Sequence, residues 1–366
     1  MRLLLLNWKD LWHDGAGGAE LYVEQVARRW HDAGHQVTLL VPRVPGRPDE
    51  ETVDGLRVLR RGGRHSVFTQ ARAHLRRHGA GYDHVVEAVS TRPFFAHHVV
   101  GARATALYFQ MADDVWTREY AFPVSALGRH VVEPHWVRRM RGARVVAISD
   151  STAADLERRG VAVAEIVPPG VTAPAELPER VLRRHAPRLL YVGRLTQTKR
   201  AADAVRAAAL VREVLPSAHL DVAGDGYLAA RLARAAGPGV RFHGRVSEAT
   251  KQALLSRADL VLLPGTREGW GIVALEAAGW GVPVVTYDVP GLCDAVLSGQ
   301  TGAVVPPQPA AMAAAALRLL HEPQAWERLS LAARRRALHF TWDRAAGDLL
   351  AAVTAPAAAG AAEMVA

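Results

Sequence analysis

Four consecutive leucines, Leu3–Leu6, open an alternation that runs along the whole chain: short apolar runs separated by longer stretches of helical periodicity. Unbroken apolar runs of this length suit strands covered on both faces. Their alternation with helices predicts βα units and parallel sheet. A glycine loop, Gly15-Ala16-Gly17-Gly18, follows the first run, and Ala19–Ala33 then carries Leu21, Val23, Val26, Ala27 and Trp30 near helical spacing. Gly34 stands where a helix C-cap is expected. Further strands are expected at Val37–Val41, Val85–Val89, Thr105–Phe109 and Val145–Ile148. A helix to Arg159, capped by Ser149 or Ser151, follows the last of them.

Ala173–Pro187 contains three prolines and little periodicity, and reads as a linker. The rhythm then restarts with a strand at Arg188–Val192 and a helix at Ala201–Leu215. His219–Ala223 is a strand ending in Gly224-Asp225-Gly226, and short strands follow at Val240–His243, Leu260–Leu263, Val282–Thr286 and Ala303–Val305. The pattern predicts an α/β chain of two doubly wound domains, residues 1–174 and 175–341. A helix at 342–354 and an alanine-rich tail, 355–366, expected to be flexible, complete it. Ligands of such sheets bind outside the carboxyl ends of the strands, so a central cleft faced by both domains is the expected site.

Length and composition narrow the class. With 366 residues, 49% apolar and 22% charged, the chain has a sizeable core available, which excludes disorder and a small stapled scaffold. One cysteine, Cys293, excludes an intramolecular disulfide and a cysteine-based zinc site, and fits a reducing, cytoplasmic compartment. The start has neither the roughly 7–15 apolar residues of a secretory signal nor, anywhere, the ~20 of a membrane span. Net charge is +9, and only three of 45 basic residues are lysines: Lys9, Lys199 and Lys251. The charge is spread over both halves rather than blocked, which argues against a nucleic-acid partner.

Three segments carry candidate chemistry. Gly15–Glu20 lies between a strand and a helix, where glycines admit a ligand to the backbone and the helix start offers N–H groups to an anion. A tight turn alone would use the same glycines, and the spacing is not that of the dinucleotide fingerprint. Gly193-Arg194-Leu195-Thr196-Gln197-Thr198-Lys199 places two cations at a strand end, a pattern suited to a diphosphate; two solvated surface cations are the plainer reading. Glu268-Gly269-Trp270-Gly271-Ile272-Val273-Ala274-Leu275-Glu276 follows a strand and sets two acids about two helical turns apart on roughly one face. A solvated helix face needs no Gly-x-Gly between its acids.

In their order and spacing these elements resemble the retaining glycosyltransferases of family 4, the glycosyl transferases group 1, which have the GT-B fold of two Rossmann-like domains facing a central cleft. Ile166-Val167-Pro168-Pro169-Gly170-Val171, Gly224-Asp225-Gly226, His243-Gly244-Arg245-Val246-Ser247 and Gly291-Leu292…Thr301-Gly302 match secondary patterns of that family, so the resemblance covers nearly the whole chain. It implies transfer of a sugar from a nucleotide-diphosphate donor, UDP first and GDP second, to an acceptor hydroxyl. Arg194 and Lys199 would hold the diphosphate in a loop opened by Gly193, Glu276 the ribose, and Glu268 the sugar hydroxyls. Backbone N–H groups of Gly269, Trp270, Gly271 and Ile272 would support sugar and phosphate, Arg245 and Val246 would lie by the base, and Gly17 and Gly18 would close on the phosphates. The N-terminal domain would take the acceptor, and the helix at 342–354 would cross back onto it.

No D-x-D signature occurs, so protein cations and a helix dipole are expected to neutralise the leaving group without a metal or other cofactor. One departure from the family concerns a histidine that many members carry at the end of a middle N-domain strand. It aligns with Phe109, or less closely Gln110, and is absent here. An apolar ring there would suit a donor with a deoxy 6-position, or Phe109 is plain strand core. Thr172 stands where an acid is usual.

Several other residues read plainly. His97-His98 lacks a spaced ligand set for a metal. Trp8, Trp12, Trp116 and Trp136 read first as core and second as an acceptor wall. The run Arg138, Arg139, Arg141 and Arg144 reads as a solvated face and leaves weak peripheral membrane contact open. The acceptor itself, a small molecule, a glycan or a lipid-linked sugar, is not named by the sequence. The alternatives are a sugar-nucleotide epimerase of the same fold and a non-catalytic nucleotide-sugar-binding relative.

Overall fold

The computed structural model describes residues 1–10, 13, 15–177, 182 and 186–356. They form two compact units. One comprises Met1–Asp113, Pro123–Gly170 and the helix that begins at Trp342; the other comprises Asp114–Phe122 and the described residues of Val171–Thr341. Part of the expected linker (178–181 and 183–185), most of the expected tail (357–366) and Trp12 lie outside the described residues.

The first unit is built on eight strands: β1 (Arg2–Leu6), β2 (Gln36–Val41), β3 (Glu50–Val53), β4 (Leu56–Arg60), β5 (His84–Val89), β6 (Ala104–Tyr108), β7 (Arg144–Ala147) and β8 (Glu165–Ile166). Their order in space is β3-β4-β2-β1-β5-β6-β7-β8. All pairings are parallel except β3 with β4, a hairpin that turns on Asp54-Gly55 with both residues at positive φ. The second unit has six strands: β9 (Arg188–Val192), β10 (His219–Ala223), β11 (Val240–Gly244), β12 (Leu260–Leu263), β13 (Val284–Tyr287) and β14 (Gly302–Val305). They are all parallel, in the order β11-β10-β9-β12-β13-β14.

In both sheets the strand path runs outward on one side and then restarts on the other. The reversal falls between β1 and β5 in the first unit and between β9 and β12 in the second. Connections leave such a neighbouring pair toward opposite faces, and the loops at their carboxyl ends part to leave a crevice.

The first unit is closed by two helices that the sequence places far apart. Helix Gly18–Asp32 buries Tyr22, Val23, Val26, Ala27 and Trp30 along one stripe. Helix Trp342–Thr354 packs on it: Tyr22 meets Trp342 edge-on at 5.8 Å, the Trp30 indole N–H donates to the Ala346 carbonyl at 2.9 Å, and Arg29 pairs with Asp343 at 2.6 Å. Arg144 donates to the carbonyls of Ala352 and Val353 and so caps the free end of that helix.

One charge in this unit is wholly enclosed. The Arg60 side chain at the end of β4 has no exposure. It meets Asp10 at 2.7 Å and Glu51 at 2.5 Å, and donates to the Pro48 carbonyl at 3.0 Å. It thereby ties the chain leaving β1 to the β3–β4 hairpin. Arg60→Ala removes one partner of a buried pair, a change that typically costs roughly 3–5 kcal/mol. A lower unfolding midpoint in urea is the expected result; a midpoint unchanged from the parent chain would show that the pair contributes nothing net.

Candidate functional site

In the second unit the loops that leave β9 and β12 part at the strand reversal. Gly193–Arg200 follows β9 and leads into helix Ala201–Val214; Pro264–Gly271 follows β12 and leads into helix Ile272–Gly279. The Lys199 ammonium donates to Glu268 Oε1, and the Thr266 N–H donates to the Thr198 carbonyl at 2.8 Å. The two loops are thus joined by side chain and by backbone. The buried Tyr191 hydroxyl holds the first loop from inside, donating to the carbonyl of Arg194 at 3.1 Å, with the Lys199 carbonyl at 3.4 Å. Burial, with the Glu268 charge adding to it, pushes that phenol up, so it stays a donor. The Arg194 guanidinium is exposed and has no hydrogen bond or ion pair among the described residues.

The second loop is held by close backbone approach. The Glu268 N–H donates to the Pro290 carbonyl at 3.1 Å. Gly291, at φ +83°, lies so near that a Cβ there would stand 2.0 Å from the Glu268 carbonyl oxygen. Gly271, at φ +86°, opens helix Ile272–Gly279, whose first N–H groups have no partner within the helix.

Glu276 lies two turns from Glu268 and is buried. Its Oε1 accepts from Lys251 at 2.7 Å, and its Oε2 has no partner. Burial pushes the Glu276 carboxyl up, against the opposing pull of Lys251. For Lys251 burial opposes the charge, yet Glu276 and Glu248 override it and its ammonium is held above the usual range. Thr266 Oγ1 and Trp270 Nε1 are also buried without a partner. Such a cluster of orphaned polar atoms is unusual in a protein interior.

Arg245, exposed, and Val246, half-buried, follow β11. Ser247 then caps helix Glu248–Arg257, which carries Lys251 to Glu276. The structure therefore brings Lys199 onto Glu268 and keeps Gly193, Arg194 and Gly269–Ile272 in the same two loops. Trp270 turns its indole inward against Phe340 at 5.3 Å.

The first unit's candidates are described by themselves. The Gly17 N–H donates to Glu20 Oε2 at 2.8 Å, closing the start of the helix that opens at Gly18. Lys9 donates to the Gly15 carbonyl at 2.9 Å and lies over the Trp8 ring. The Phe109 ring is buried edge-on against Tyr22 at 5.5 Å, and Gln110 is half-buried. That packing gives no support to a donor contact by Phe109. His97 and His98 stack on each other at 4.1 Å, and His97 Nε2 reaches the Arg139 carbonyl at 3.0 Å.

Two participants escape sequence reasoning. Lys251 lies in no motif, and Glu119 comes from a distant part of the chain. The Glu119 carboxylate accepts from the Thr198 N–H at 3.1 Å and from the Tyr227 hydroxyl at 2.7 Å, which brings Asp114–Phe122 onto the second unit. Lysine rarity is the signal that could have found Lys251. In an arginine-rich chain, two of the three lysines neutralise Glu268 and Glu276, and the third grips the glycine loop.

Comparison with known proteins matches both halves. The family model described as Glycosyltransferase Family 4 matches residues 16–173, and the one described as Glycosyl transferases group 1 matches residues 186–322. A glycogen synthase of Mycobacterium tuberculosis is 31% identical over 390 residues, covering 94% of this chain and 92% of its own. A GDP-mannose-dependent alpha-(1-6)-phosphatidylinositol dimannoside mannosyltransferase of the same species is 37% identical over 171 residues, 46% of this chain and 44% of its own. Among solved structures, the Anabaena protein HepE in complex with UDP and glucose superposes with a TM-score of 0.69 at 17% identity, covering 96% of this chain and 98% of that one.

The glycine beneath Glu268 provides a matched test. Gly299, at φ +73°, has open space around its Cα, so Gly299→Ala meets only the left-handed backbone penalty of roughly 1–2 kcal/mol. Gly291→Ala meets that penalty and a backbone clash as well. Thermal melts should show the larger loss for Gly291→Ala; equal losses would mean that the Glu268 loop yields freely.

Proposed function

The chain belongs to the family 4 glycosyltransferases, with the GT-B fold, and from that premise we propose that it transfers a sugar from a nucleotide-diphosphate donor, with retention and without a metal, using the loops after β9 and β12. The observation that carries this reading is the pairing of Lys199 with Glu268 across the strand reversal, beside the unpartnered Arg194 and the orphaned Glu276 Oε2. A diphosphate would find a bidentate guanidinium in Arg194 and a point charge in Lys199. The open N–H groups of helix Ile272–Gly279 add the positive end of its dipole. A ribose hydroxyl would satisfy Glu276 Oε2, and Glu268 would accept from hydroxyls of the transferred sugar.

In the proposed reaction the acceptor oxygen bonds to the anomeric carbon on the face from which the diphosphate departs. The bond from anomeric carbon to phosphate oxygen breaks, and that oxygen takes the acceptor proton, so configuration is retained and no carboxylate nucleophile is needed. Arg194 and Lys199 stabilise the charge that develops on the leaving oxygen. This is the role a metal plays in D-x-D enzymes, a motif this sequence lacks. UDP is the first choice of nucleotide and is supported by the UDP complex of HepE. GDP is second and is supported by the GDP-mannose-dependent relative.

Thermal shift against UDP, GDP, ADP and dTDP, with and without EDTA, tests the donor site. A nucleotide at about 100 times its dissociation constant stabilises by about 2.7 kcal/mol. One base should shift the melt, EDTA should leave the shift unchanged, and Arg194→Ala should abolish it. No shift with any nucleotide at millimolar concentration overturns the assignment, and a shift lost with EDTA overturns metal independence. With a donor in hand, Lys199→Met should lower kcat by roughly 100- to 1000-fold, the loss typical of one charge-stabilising group.

A further inference from the structure

At the amino ends of the strands in the first unit, away from the glycine loop that follows β1, one face of the sheet changes character. Parallel register places Arg2 beside Gln36 and Thr38 beside Arg57, while the next positions along this face, Leu4, Leu40 and Leu59, belong to the core beneath helix Val67–His78. The apolar floor thus gives way to cations, an amide and a hydroxyl. These residues line a cavity of about 780 Å³, walled by the end of that helix and by Tyr82.

The lining is unbalanced in charge. It holds Arg2, Arg57, Arg61 and Arg77 against the single carboxylate Glu50. Glu50 is shared between Arg57, at 3.4 Å, and Arg61. Arg2 lies 3.8 Å from Asp83, and Arg77 has no hydrogen bond or ion pair among the described residues. His74 and His78 stack at 4.9 Å in the same wall, and His74 Nε2 meets the Tyr82 hydroxyl at 3.0 Å. Burial, then His78, Arg61 and Arg57, push the His74 imidazole down to about 4 against the weaker pull of Glu50. Basic residues in the last turn of a helix are ordinary complements to its dipole. That account covers Arg77 and His78 but not Arg57 and Arg61, which reach the cavity from β4 and the chain just after it.

We propose that this cavity is a second binding site, separate from the donor loops, for a small molecule bearing a phosphate monoester. Arginine forks match phosphate oxygens, and the neutral Gln36, Gln70, Thr38 and Tyr82 groups offer hydrogen bonds to hydroxyls on the rest of such a ligand. The volume lies within the roughly 300–1,000 Å³ of small-molecule sites. The lining shares no residue with the loops after β9 and β12, so a ligand here uses none of the proposed donor groups.

Isothermal titration of the full chain with glucose 6-phosphate, inorganic phosphate and glucose tests the site. One saturable equivalent of glucose 6-phosphate should bind, glucose should give no heat, and Arg194→Ala should bind as the parent does. Arg77→Gln and Arg57→Gln should each weaken binding at least about tenfold, the loss of one charge-assisted hydrogen bond. Arg77 is exposed and unpartnered, so Arg77→Gln leaves the fold intact. Amide exchange should slow on residues 70–82 when glucose 6-phosphate is added. Absence of saturable heat from both phosphates overturns the proposal, as does binding that survives both variants or is lost in Arg194→Ala. Association with phosphatidic acid vesicles without heat from the free ester overturns the soluble ligand.

Discussion

The reversal of strand order at β9 and β12 is the constraint on which the rest of the second unit depends. Two parallel neighbours whose connections depart to opposite faces cannot close their carboxyl ends over each other. The backbone there must end in exposed loops, and any charge those loops carry is half in water and half against the sheet. Lys199 and Glu268 occupy that position, one from each loop, and their ion pair bridges it. The close approaches follow: Gly224 must clear the Gly193 carbonyl, and Gly291 must clear that of Glu268. In this unit glycines stand where a side chain would force the two loops off the strands that aim them.

One carboxylate of this arrangement is held at an electrostatic disadvantage. Glu276 is buried deeply enough that desolvation outweighs Lys251 at 2.7 Å, and one of its oxygens is left unsatisfied. An apolar residue of similar size would be less demanding in that position. Exposed pairs elsewhere on the chain, such as Arg43 with Asp49, contribute little and leave nothing orphaned. The difference separates a buried carboxylate with an unsatisfied oxygen from one that decorates the surface.

Much of this was legible in the sequence because it rests on local pattern. Leu3–Leu6, Arg188–Val192, His219–Ala223 and Leu260–Leu263 announce strands by composition alone, and Ser149 caps the helix Asp150–Glu157 as expected. Val282–Thr286 is displaced to Val284–Tyr287, because ladder pairing rather than hydrophobicity sets where a strand begins. The β3–β4 hairpin escapes the apolar pattern although Asp54-Gly55 is a strong turn signal; its strands carry glutamates and arginines that hide the apolar alternation. Two-residue β8 has too little sequence to show any period. Lys251 and Glu119 reach their partners only through tertiary structure, over 25 and 79 residues of chain, and no window along the sequence contains both ends.

The Glu119 contact bears on how the loop after β9 is held. A loop rich in N–H groups and cations repels itself unless something negative stands nearby. Glu268 supplies one such charge through Lys199, and Glu119 supplies another by accepting the Thr198 N–H and the Tyr227 hydroxyl, while that hydroxyl accepts the Gln197 N–H. Successive backbone donors of the loop are therefore already engaged by acids or by a phenol that an acid orients. Arg194 stands outside that network, and of the loop's cations its charge is the least compensated by the described residues.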